Sequence, residues 1–534
     1  MQGHIRTATS LCLVLLALSL AGWPADAQVS IPSADGEHGW IQVAPNCHYF
    51  QFEDGTSFFP VGYAFQPQQL DSDPAVFDRY FQYLHEHGIN LVRVTMDVPP
   101  ILLESGFLVE DPVGVYNPDV AAALDALVAA AEQHDIYLLV CPYGTFYINI
   151  GWADYPYNSA NGGPVEALHR MYSNPEAIEL EKARFRWLID NWGNSAHIFA
   201  WELMNEMEVY RDPDLTPAEN IALHNAWIND MGAYVRDYEL SRYGKAHLLT
   251  VSVGDPSFPE SLGDGLPSSA IYDSPELDFV SYHTYGTDMP NTWEGVPLWS
   301  RINPVGYVLD LHGLAHAVRG AKVPDRPILD TEDGAFLRGP SPFPWWQDYG
   351  EADFDETFLA TNWATFTGSA AGTGLRWPAS PPYEVEFEGD ILNLGISETQ
   401  ADSQLGFARF AAHVDWTTFA PEDADGDVQT DLADVVTMAL SDGQTLVGWL
   451  LHDTRDDHDP HPIQPQVTFF RLSDEPHTVT WFDEATGDEI ARQEVDGAPI
   501  VVTTPSFERH IAVLVQPTGQ SSPGTEVFLP IMFK

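Results

Sequence analysis

The sequence predicts an α/β protein: a (β/α)8 TIM barrel followed by a C-terminal antiparallel β-sandwich. Two observations predict this fold. Up to about residue 415, apolar runs typical of strands alternate with segments whose apolar residues recur at helical spacing. From about residue 419 the pattern changes to short runs of alternating apolar and polar residues, separated by turns such as Ser441–Gly443.

Eight runs are predicted as barrel strands, with helices between them. Asp119–His134 and Pro175–Trp192 carry apolar residues at intervals of three and four, which is typical of amphipathic helices. Regular strand–helix alternation favours a right-handed parallel barrel over an open sheet. The predicted strands are Pro60–Ala64, Asn90–Thr95, Ile136–Tyr143, His197–Met204, His247–Val253, Leu277–His283, Pro327–Thr331 and Gly372–Trp377.

The first residues resemble a secretory signal. Arg6 precedes an apolar run and the small-residue site Ala25–Ala27, so a secreted protein is expected. No later apolar run is long enough to span a bilayer, so no membrane span is expected. The expected segments are the signal peptide 1–27, the barrel 28–415 with an N-terminal hairpin over Trp40–Phe59, the sandwich 416–516, and a linker with an apolar tail over 517–534.

Charge and composition exclude several classes of partner. The chain has 78 acidic and 23 basic residues and a formal net charge of −55, which argues against nucleic acid or an anionic membrane as a partner. Such acidity fits either adaptation to high salt or an ordinary acidic secreted protein. No Gly-rich nucleotide-binding loop follows a predicted strand, so no nucleotide cofactor is expected. Cys47 and Cys141 are expected to be two buried thiols.

Two glutamates lie at the ends of predicted strands. Glu206 follows the run that begins at His197, and Glu332 follows Pro327–Thr331. The carboxyl ends of barrel strands share one face, where a buried acid is costly unless it has a role. Two such carboxylates are the groups that cleave a glycosidic bond. Taken singly, Glu206 could instead cap a helix and Glu332 could pair with an arginine.

The surrounding motifs resemble glycoside hydrolase clan A, most closely family 5 with its cellulase- and mannanase-type members. The resemblance covers about Gly39–Asp415 and depends on Trp201–Glu206, His283–Tyr285 and Glu332–Gly334. It implies that Glu206 is the acid/base and Glu332 the nucleophile of a retaining mechanism that needs no cofactor or metal. Glu202 is expected on the same side of its strand as Glu206, as a supporting carboxylate.

The same resemblance implies a set of substrate-binding residues. Arg93 and Tyr285 are expected to hold the nucleophile ionised, and Asn205 to bind the sugar 2-hydroxyl. His283 is expected to position Glu206 or the sugar, although Arg93 and His283 could also be purely structural. Aromatic rings stack on sugars, which favours a role for Trp377 as the floor of the site and for loop aromatics. The expected set is Arg93, Asn205, His283, Tyr285, Trp377, Trp152 and Tyr143.

The sequence departs from the family pattern at three positions, which leaves the substrate open. Met207 replaces the proline that usually follows the acid/base, Tyr143 stands where many members carry histidine, and Asp333 replaces a common aromatic residue. The expected function is hydrolysis of a β-linked polysaccharide, β-mannan or β-glucan, by an endo-acting enzyme. The alternatives are an exo-acting β-glycosidase and a glycan-binding protein without activity. The oligomeric state is not predicted.

Two segments contain the residue types of a metal site, but metal binding is not favoured for either. Asp423–Asp427 with Asp434 has the carboxylate spacing of a calcium loop, but Val428 occupies the place of the required glycine. A histidine group among aspartates could bind zinc, and consists of His452, His458 and His461. The predicted interpretation of both segments is a solvated acidic loop without a metal ion.

Overall fold

A computed structural model describes residues 38–519. The exceptions are residues 66–75, 99–105, 255–267, 286–311, 314, 317, 320–325, 335–350, 376–382 and 454–460. The predicted signal peptide, Trp377, His458 and the C-terminal tail lie outside the described residues, as does the side chain of Tyr285.

The described chain begins with the predicted hairpin, which has one additional strand. It forms a three-stranded antiparallel sheet in the order β1–β2–β3. Gly55, at φ 89°, lies in the turn between β2 and β3, where a positive φ favours glycine. The strands are β1 (Ile41–Val43), β2 (Phe50–Phe52) and β3 (Ser57–Phe58).

Two parallel sheets follow, as the alternating pattern predicts. The first has the order β4–β5–β6–β7–β8, and the second pairs β9, β10 and β11. β5, β6 and β7 are buried along their whole length, which is typical of parallel strands covered on both faces. The strands are β4 (Gly62–Phe65), β5 (Leu91–Thr95), β6 (Tyr137–Cys141), β7 (Ile198–Glu202), β8 (Leu248–Thr250), β9 (Ser252–Val253), β10 (Val280–Tyr285) and β11 (Ile328–Gly334).

The eighth strand predicted at Gly372–Trp377 is not a regular strand in the described residues 371–375. This segment is nevertheless hydrogen-bonded on two sides. Ala371 N donates to Ile328 O at 2.7 Å, and Thr373 N donates to Pro60 O at 3.0 Å. The segment therefore connects β11 with the residues that lead into β4.

Helices separate the parallel strands. An Asn-Pro pair begins two of them: Asn117 and Asn174 accept hydrogen bonds from the first helical amides, and a proline follows each. Among the described residues, the helices do not include one that is both long and apolar enough to cross a membrane. The helices are α1 (Phe77–Glu86), α2 (Pro118–Gln133), α3 (Thr145–Ile150), α4 (Pro175–Trp192), α5 (Pro217–Tyr243), α6 (Glu351–Thr367) and α7 (Glu398–Ala411).

The C-terminal part is antiparallel, as predicted from its alternating pattern. After a hairpin of β12 and β13, a six-stranded sheet has the order β14–β16–β17–β22–β19–β20, and a three-stranded sheet has the order β15–β18–β21. The strands are β12 (Tyr383–Phe387), β13 (Asp390–Leu394), β14 (Glu422–Asp423), β15 (Val428–Thr430), β16 (Val435–Ser441), β17 (Leu446–His452), β18 (Gln466–Phe469), β19 (His477–Phe482), β20 (Glu489–Val495), β21 (Ile500–Thr503) and β22 (His510–Pro517).

Both faces of the six-stranded sheet are buried. Because side chains alternate along a strand, Trp449 and Phe482 enter the large core that also holds the helices, whereas Leu450 and Trp481 enter a second core with β18 and β21. The ring of Trp449 lies 6.5 Å from that of Trp363 on α6. The sheet therefore packs directly against the helical part of the chain.

Both described cysteines are free thiols, as expected for their number. Cys141 is buried on β6, which confirms that prediction, whereas Cys47 is only half-buried.

Candidate active site

The predicted acids and their partners lie on neighbouring parallel strands. Arg93 is on β5, Glu202 ends β7, and Asn205 and Glu206 follow within a few residues. His283 on β10 pairs in register with Glu332 on β11. Because these strands run in the same direction, their carboxyl ends bring the side chains to one place.

Arg93 connects three of these residues. Its guanidinium donates to both oxygens of Glu202 at 2.8 Å, to Glu332 Oε2 at 2.7 Å and to Asn205 Oδ1 at 2.6 Å. Arg93 and Glu202 are buried, so the planar fork holds its partners in a fixed geometry. Burial alone would raise the pKa of Glu202, but the charge of Arg93 lowers it, which keeps this carboxylate ionised.

Glu206 occupies an unusual backbone position. Its φ of 41° lies in the left-handed region, and its N–H donates to Ser252 Oγ at 2.9 Å. A Cβ on Gly254 would lie 3.0 Å from Glu206 Oε1. A glycine there leaves room for the carboxyl group, and the serine fixes the turn that presents it.

His283 lies between the two glutamates. Its Nδ1 donates to Glu206 Oε1 at 2.8 Å and lies 3.6 Å from Glu332 Oε2. This ring nitrogen and one oxygen of each carboxyl group lie within 4.8 Å of one another. Burial would lower the pKa of His283, but the charges of Glu332 and Glu206 raise it. The imidazole is therefore held between two acids that favour its charged form.

Burial raises the pKa of Glu332, and the nearby charge of Glu206 adds to this effect. His283 and Arg93 act in the opposite direction and favour the ionised form. The charge of Glu206 thus acts on the ionisation of Glu332, as expected for two carboxyl groups in one site.

Glu208 is a third buried carboxyl group beside this pair. Its Oε1 accepts a hydrogen bond from Gly254 N at 2.6 Å. Burial, together with the charge of Glu206, raises the pKa of Glu208 to about 8. Glu208 is 3 % exposed, so it is a buried residue of the site and not a solvated loop residue.

Two of the aromatic residues predicted as sugar contacts, Tyr143 and Trp152, differ in how far they are buried. The ring of Tyr143 has no exposed surface: the Arg184 guanidinium lies 4.3 Å above it and its hydroxyl is 3.4 Å from that of Tyr157. A fully buried ring cannot stack on a sugar, so the structure corrects this prediction. Trp152 is half-buried, and its Nε1 donates to Glu166 O at 3.2 Å.

One aromatic residue of the loop after β6, Tyr147, is not in the expected substrate-binding set. Tyr147 on α3 is buried, and its pKa is raised first by burial and then by the charge of Glu332. The sequence signal that points to it is its place beside Phe146 in the aromatic segment that follows the predicted strand.

The acids of the calcium-like segment contact separate partners. Asp425 Oδ2 lies 2.8 Å from His312 Nε2, Asp427 Oδ1 lies 3.1 Å from Arg471 Nε, and Asp434 Oδ2 lies 3.6 Å from His452 Nε2. Because these carboxylates do not converge, the structure argues against a calcium loop.

Comparisons with known proteins agree with this geometry. No protein-family model matches the chain. The chain is 27% identical over 276 residues to a probable mannan endo-1,4-beta-mannosidase A of Aspergillus oryzae, covering 48% of this chain and 62% of that enzyme. It is 25% identical over 384 residues to mannan endo-1,4-beta-mannosidase 4 of Oryza sativa subsp. japonica, covering 66% of this chain and 74% of that enzyme. The match thus spans less than two thirds of the Aspergillus enzyme.

Solved structures share the fold. A glycoside hydrolase family 5 protein from Bacteroides vulgatus superposes with a TM-score of 0.56 at 13% identity, covering 90% of this chain and 95% of that one. Another glycoside hydrolase superposes with a TM-score of 0.57 at 12% identity, covering 91% of this chain and 98% of that one. The resemblance to family 5 glycoside hydrolases, predicted from the strand-end motifs, is confirmed.

Proposed function

We propose that this chain is a secreted, retaining β-glycoside hydrolase that cleaves β-1,4-linked mannan at internal linkages. The observation that carries the proposal is the convergence of Glu206 and Glu332, with one oxygen of each within 4.8 Å and His283 between them. Retaining enzymes need carboxyl groups about 5–5.5 Å apart, whereas inverting enzymes leave about 6.5–9.5 Å for a water molecule. The relatives' mannanase activity favours mannan over β-glucan.

The proposed scaffold is a closed (β/α)8 barrel over residues 28–415 and a β-sandwich over 416–516, with 1–27 as signal peptide and 517–534 as linker and tail. The hydrogen bonds from residues 371–375 to both β11 and Pro60 support closure. The core shared by the two antiparallel sheets supports the sandwich. The four-segment division rests on the sequence pattern.

In the first step, a carboxylate oxygen of Glu332 attacks the anomeric carbon while Glu206 donates its proton to the departing glycosidic oxygen. Arg93 Nη1 donates to Glu332 Oε2 at 2.7 Å, which holds the carboxylate in position for this attack. In the second step, Glu206 takes a proton from a water molecule, and the water oxygen displaces Glu332 from the sugar.

Arg93 also orients Asn205. Because Asn205 Oδ1 accepts from Arg93 Nη2, its amide nitrogen is the group available to donate to the sugar 2-hydroxyl. That contact strengthens as the transition state forms. Trp152, Trp377 and Tyr285 stay proposals as further sugar contacts.

A panel of polysaccharides with chromatography of the products tests this function. The expected result is hydrolysis of β-1,4-mannan to a series of oligosaccharides. Release of single sugars from one end would indicate an exo-acting β-glycosidase, and preference for β-glucan would correct the substrate. Binding without hydrolysis, under conditions where the protein is folded, would contradict an enzymatic role.

A further inference from the structure

A second group of ionisable side chains lies away from the two catalytic glutamates. His312 and His316 are one helical turn apart, so both rings lie on the same helix face. Their ring centroids are 4.5 Å apart. Asp423 and Asp425, which end and follow β14, face them: Asp425 Oδ2 lies 2.8 Å from His312 Nε2, and Asp423 Oδ1 lies 3.9 Å from His316 Nε2.

The other ring nitrogen of each histidine is already engaged. His312 Nδ1 lies 3.2 Å from Ala364 O and 3.2 Å from Thr367 Oγ1, and His316 Nδ1 lies 3.3 Å from Ser369 Oγ. A carbonyl oxygen only accepts hydrogen bonds, so His312 Nδ1 must carry a proton. The neutral ring then directs the Nε2 lone pair at a carboxylate oxygen. Either a second proton or a cation must lie between these two acceptors.

The position of His316 favours a cation over a proton between His312 and Asp425. The Nε2 of His316 is buried and makes no hydrogen bond with any residue in the described part of the chain. One ligand atom each from His312, His316 and Asp425 lies within 4.8 Å of the others. A proton between His312 and Asp425 would leave His316 Nε2 without a partner, whereas one metal ion would bind all three.

We propose that His312, His316 and Asp425 bind a divalent transition-metal ion of the zinc class. Two imidazoles and a carboxylate are typical zinc ligands, and Asp423 is adjacent as a possible fourth. Hydrogen bonds from Nδ1 to carbonyl and hydroxyl groups are the usual way to orient a metal-binding histidine. Ligand bonds of about 2.0–2.1 Å place tetrahedral ligand atoms about 3.3 Å apart. Here the three atoms lie within 4.8 Å of one another, and His312 Nε2 is 2.8 Å from Asp425 Oδ2.

Hydrogen bonds fix the turn that contains Asp423 and Asp425. Asp425 Oδ1 accepts from Ala439 N on β16 at 2.8 Å, and Asp425 N donates to Asp423 Oδ1 at 2.9 Å. This leaves Asp425 Oδ2 for the ion. The ion would join the helical segment that carries His312 and His316 to the C-terminal sheets. It should therefore stabilise the packing of this segment against those sheets. It takes no part in the proposed hydrolysis.

The test is titration of the full chain, after chelation and dialysis, with Zn²⁺ alone, followed by calorimetry and by thermal unfolding. We expect one bound ion per chain and a rise in melting temperature, because a ligand that binds only the folded state stabilises it. Co²⁺ in place of Zn²⁺ should give the intense visible absorption of a tetrahedral site. Three variants, His312→Gln, His316→Gln and Asp425→Asn, should each weaken binding at least about tenfold.

Two controls separate this site from its rivals. His461→Ala changes an exposed histidine of the other histidine group and should leave Zn²⁺ binding unchanged. Glu332→Gln removes a carboxylate of the glutamate pair and should also leave it unchanged. The proposal is overturned if the chain takes up no Zn²⁺, or if the bound ion is lost in Glu332→Gln or His461→Ala and kept in the His316→Gln variant.

Discussion

Arg93 donates two parallel hydrogen bonds of 2.8 Å to Glu202, one from Nε and one from Nη2. Both side chains are buried, and the remaining arm of the guanidinium reaches Glu332 at 2.7 Å. The position of the proposed nucleophile therefore depends on Glu202, which lies deeper on β7.

Replacing Glu202 tests this dependence. Glu202→Gln offers Arg93 a single carboxamide oxygen and no charge, so Arg93 and the Glu332 carboxylate should shift. We expect kcat to fall about tenfold to a hundredfold with a small change in KM, because a small misplacement of reacting groups is costly. Steady-state kinetics measures this. Glu166→Gln changes an exposed acid and should leave kcat unaltered. An unchanged kcat in correctly folded Glu202→Gln would refute the positioning role.

The pH dependence of the first chemical step should follow Glu332. Burial and the charge of Glu206 raise the pKa of Glu332, and only its ionised form can attack. Activity should therefore decline on the acid side at a higher pH than an ordinary glutamate would give. His283→Gln removes a positive charge that favours ionisation of Glu332, so the acid limb of kcat/KM should move to higher pH. An aryl glycoside with a good leaving group gives the profile, and a limb that stayed or moved downward would contradict the coupling.

Glu181 on α4 should make stability depend on pH. It is fully buried and accepts a hydrogen bond from Trp227 Nε1 at 2.8 Å, and burial raises its pKa from 4.5 to about 8. The folded state holds its proton more tightly than the unfolded state, so stability is full below about pH 4.5 and is lost as pH rises towards 8. Glu181→Gln should flatten this decline. Urea unfolding from pH 5 to 8 measures the free energy of unfolding of both proteins. An equal decline with pH in both would exclude Glu181 as its source.

The six-stranded antiparallel sheet should be required for stability. Trp449 packs in the same core as Trp363 on α6, and Phe482 packs edge-on at 5.2 Å against Phe410 on α7. A chain ending at Ala420 would expose these helix faces, and Trp449→Ala should cost about 3–5 kcal/mol. Denaturant unfolding of the shortened chain and of Trp449→Ala measures the loss of stability. If the shortened chain kept full stability but lost polysaccharide binding, the C-terminal part would be a binding module.

Much of the fold follows from local pattern. The helix Pro175–Trp192 has the predicted limits because Asn174 and Pro175 favour its start and Gly193 its end. Alternation along the predicted strand also indicated that Glu202 is a supporting carboxylate, and in the structure it binds Arg93. By contrast, β20 was missed because Glu489–Val495 is mostly exposed and contains few apolar residues. An edge strand that pairs only with β19 gives little hydrophobic signal.

The parts of the site that escaped prediction depend on contacts between distant segments. Tyr143 lies two residues after the end of β6, and Arg184 on α4 covers its ring. That arginine is fixed by ion pairs with Asp97 and Glu110. Glu208 is buried, and its Oε1 accepts from the N–H of Gly254, which directly follows β9. No local pattern along the chain reports either contact.

The most direct test of the account compares azide rescue of Glu332→Ala and Glu206→Ala, with an activated aryl β-mannoside as substrate. Glu332→Ala lacks the nucleophile, so azide should replace it and give a product of inverted configuration. Glu206→Ala can still form the glycosyl-enzyme, so azide should attack that intermediate and give retained configuration. Nuclear magnetic resonance of the glycosyl azides reads both outcomes. The opposite pair of configurations, or an inverted product from the unaltered enzyme, would contradict the assignment of Glu332 as nucleophile and Glu206 as acid/base.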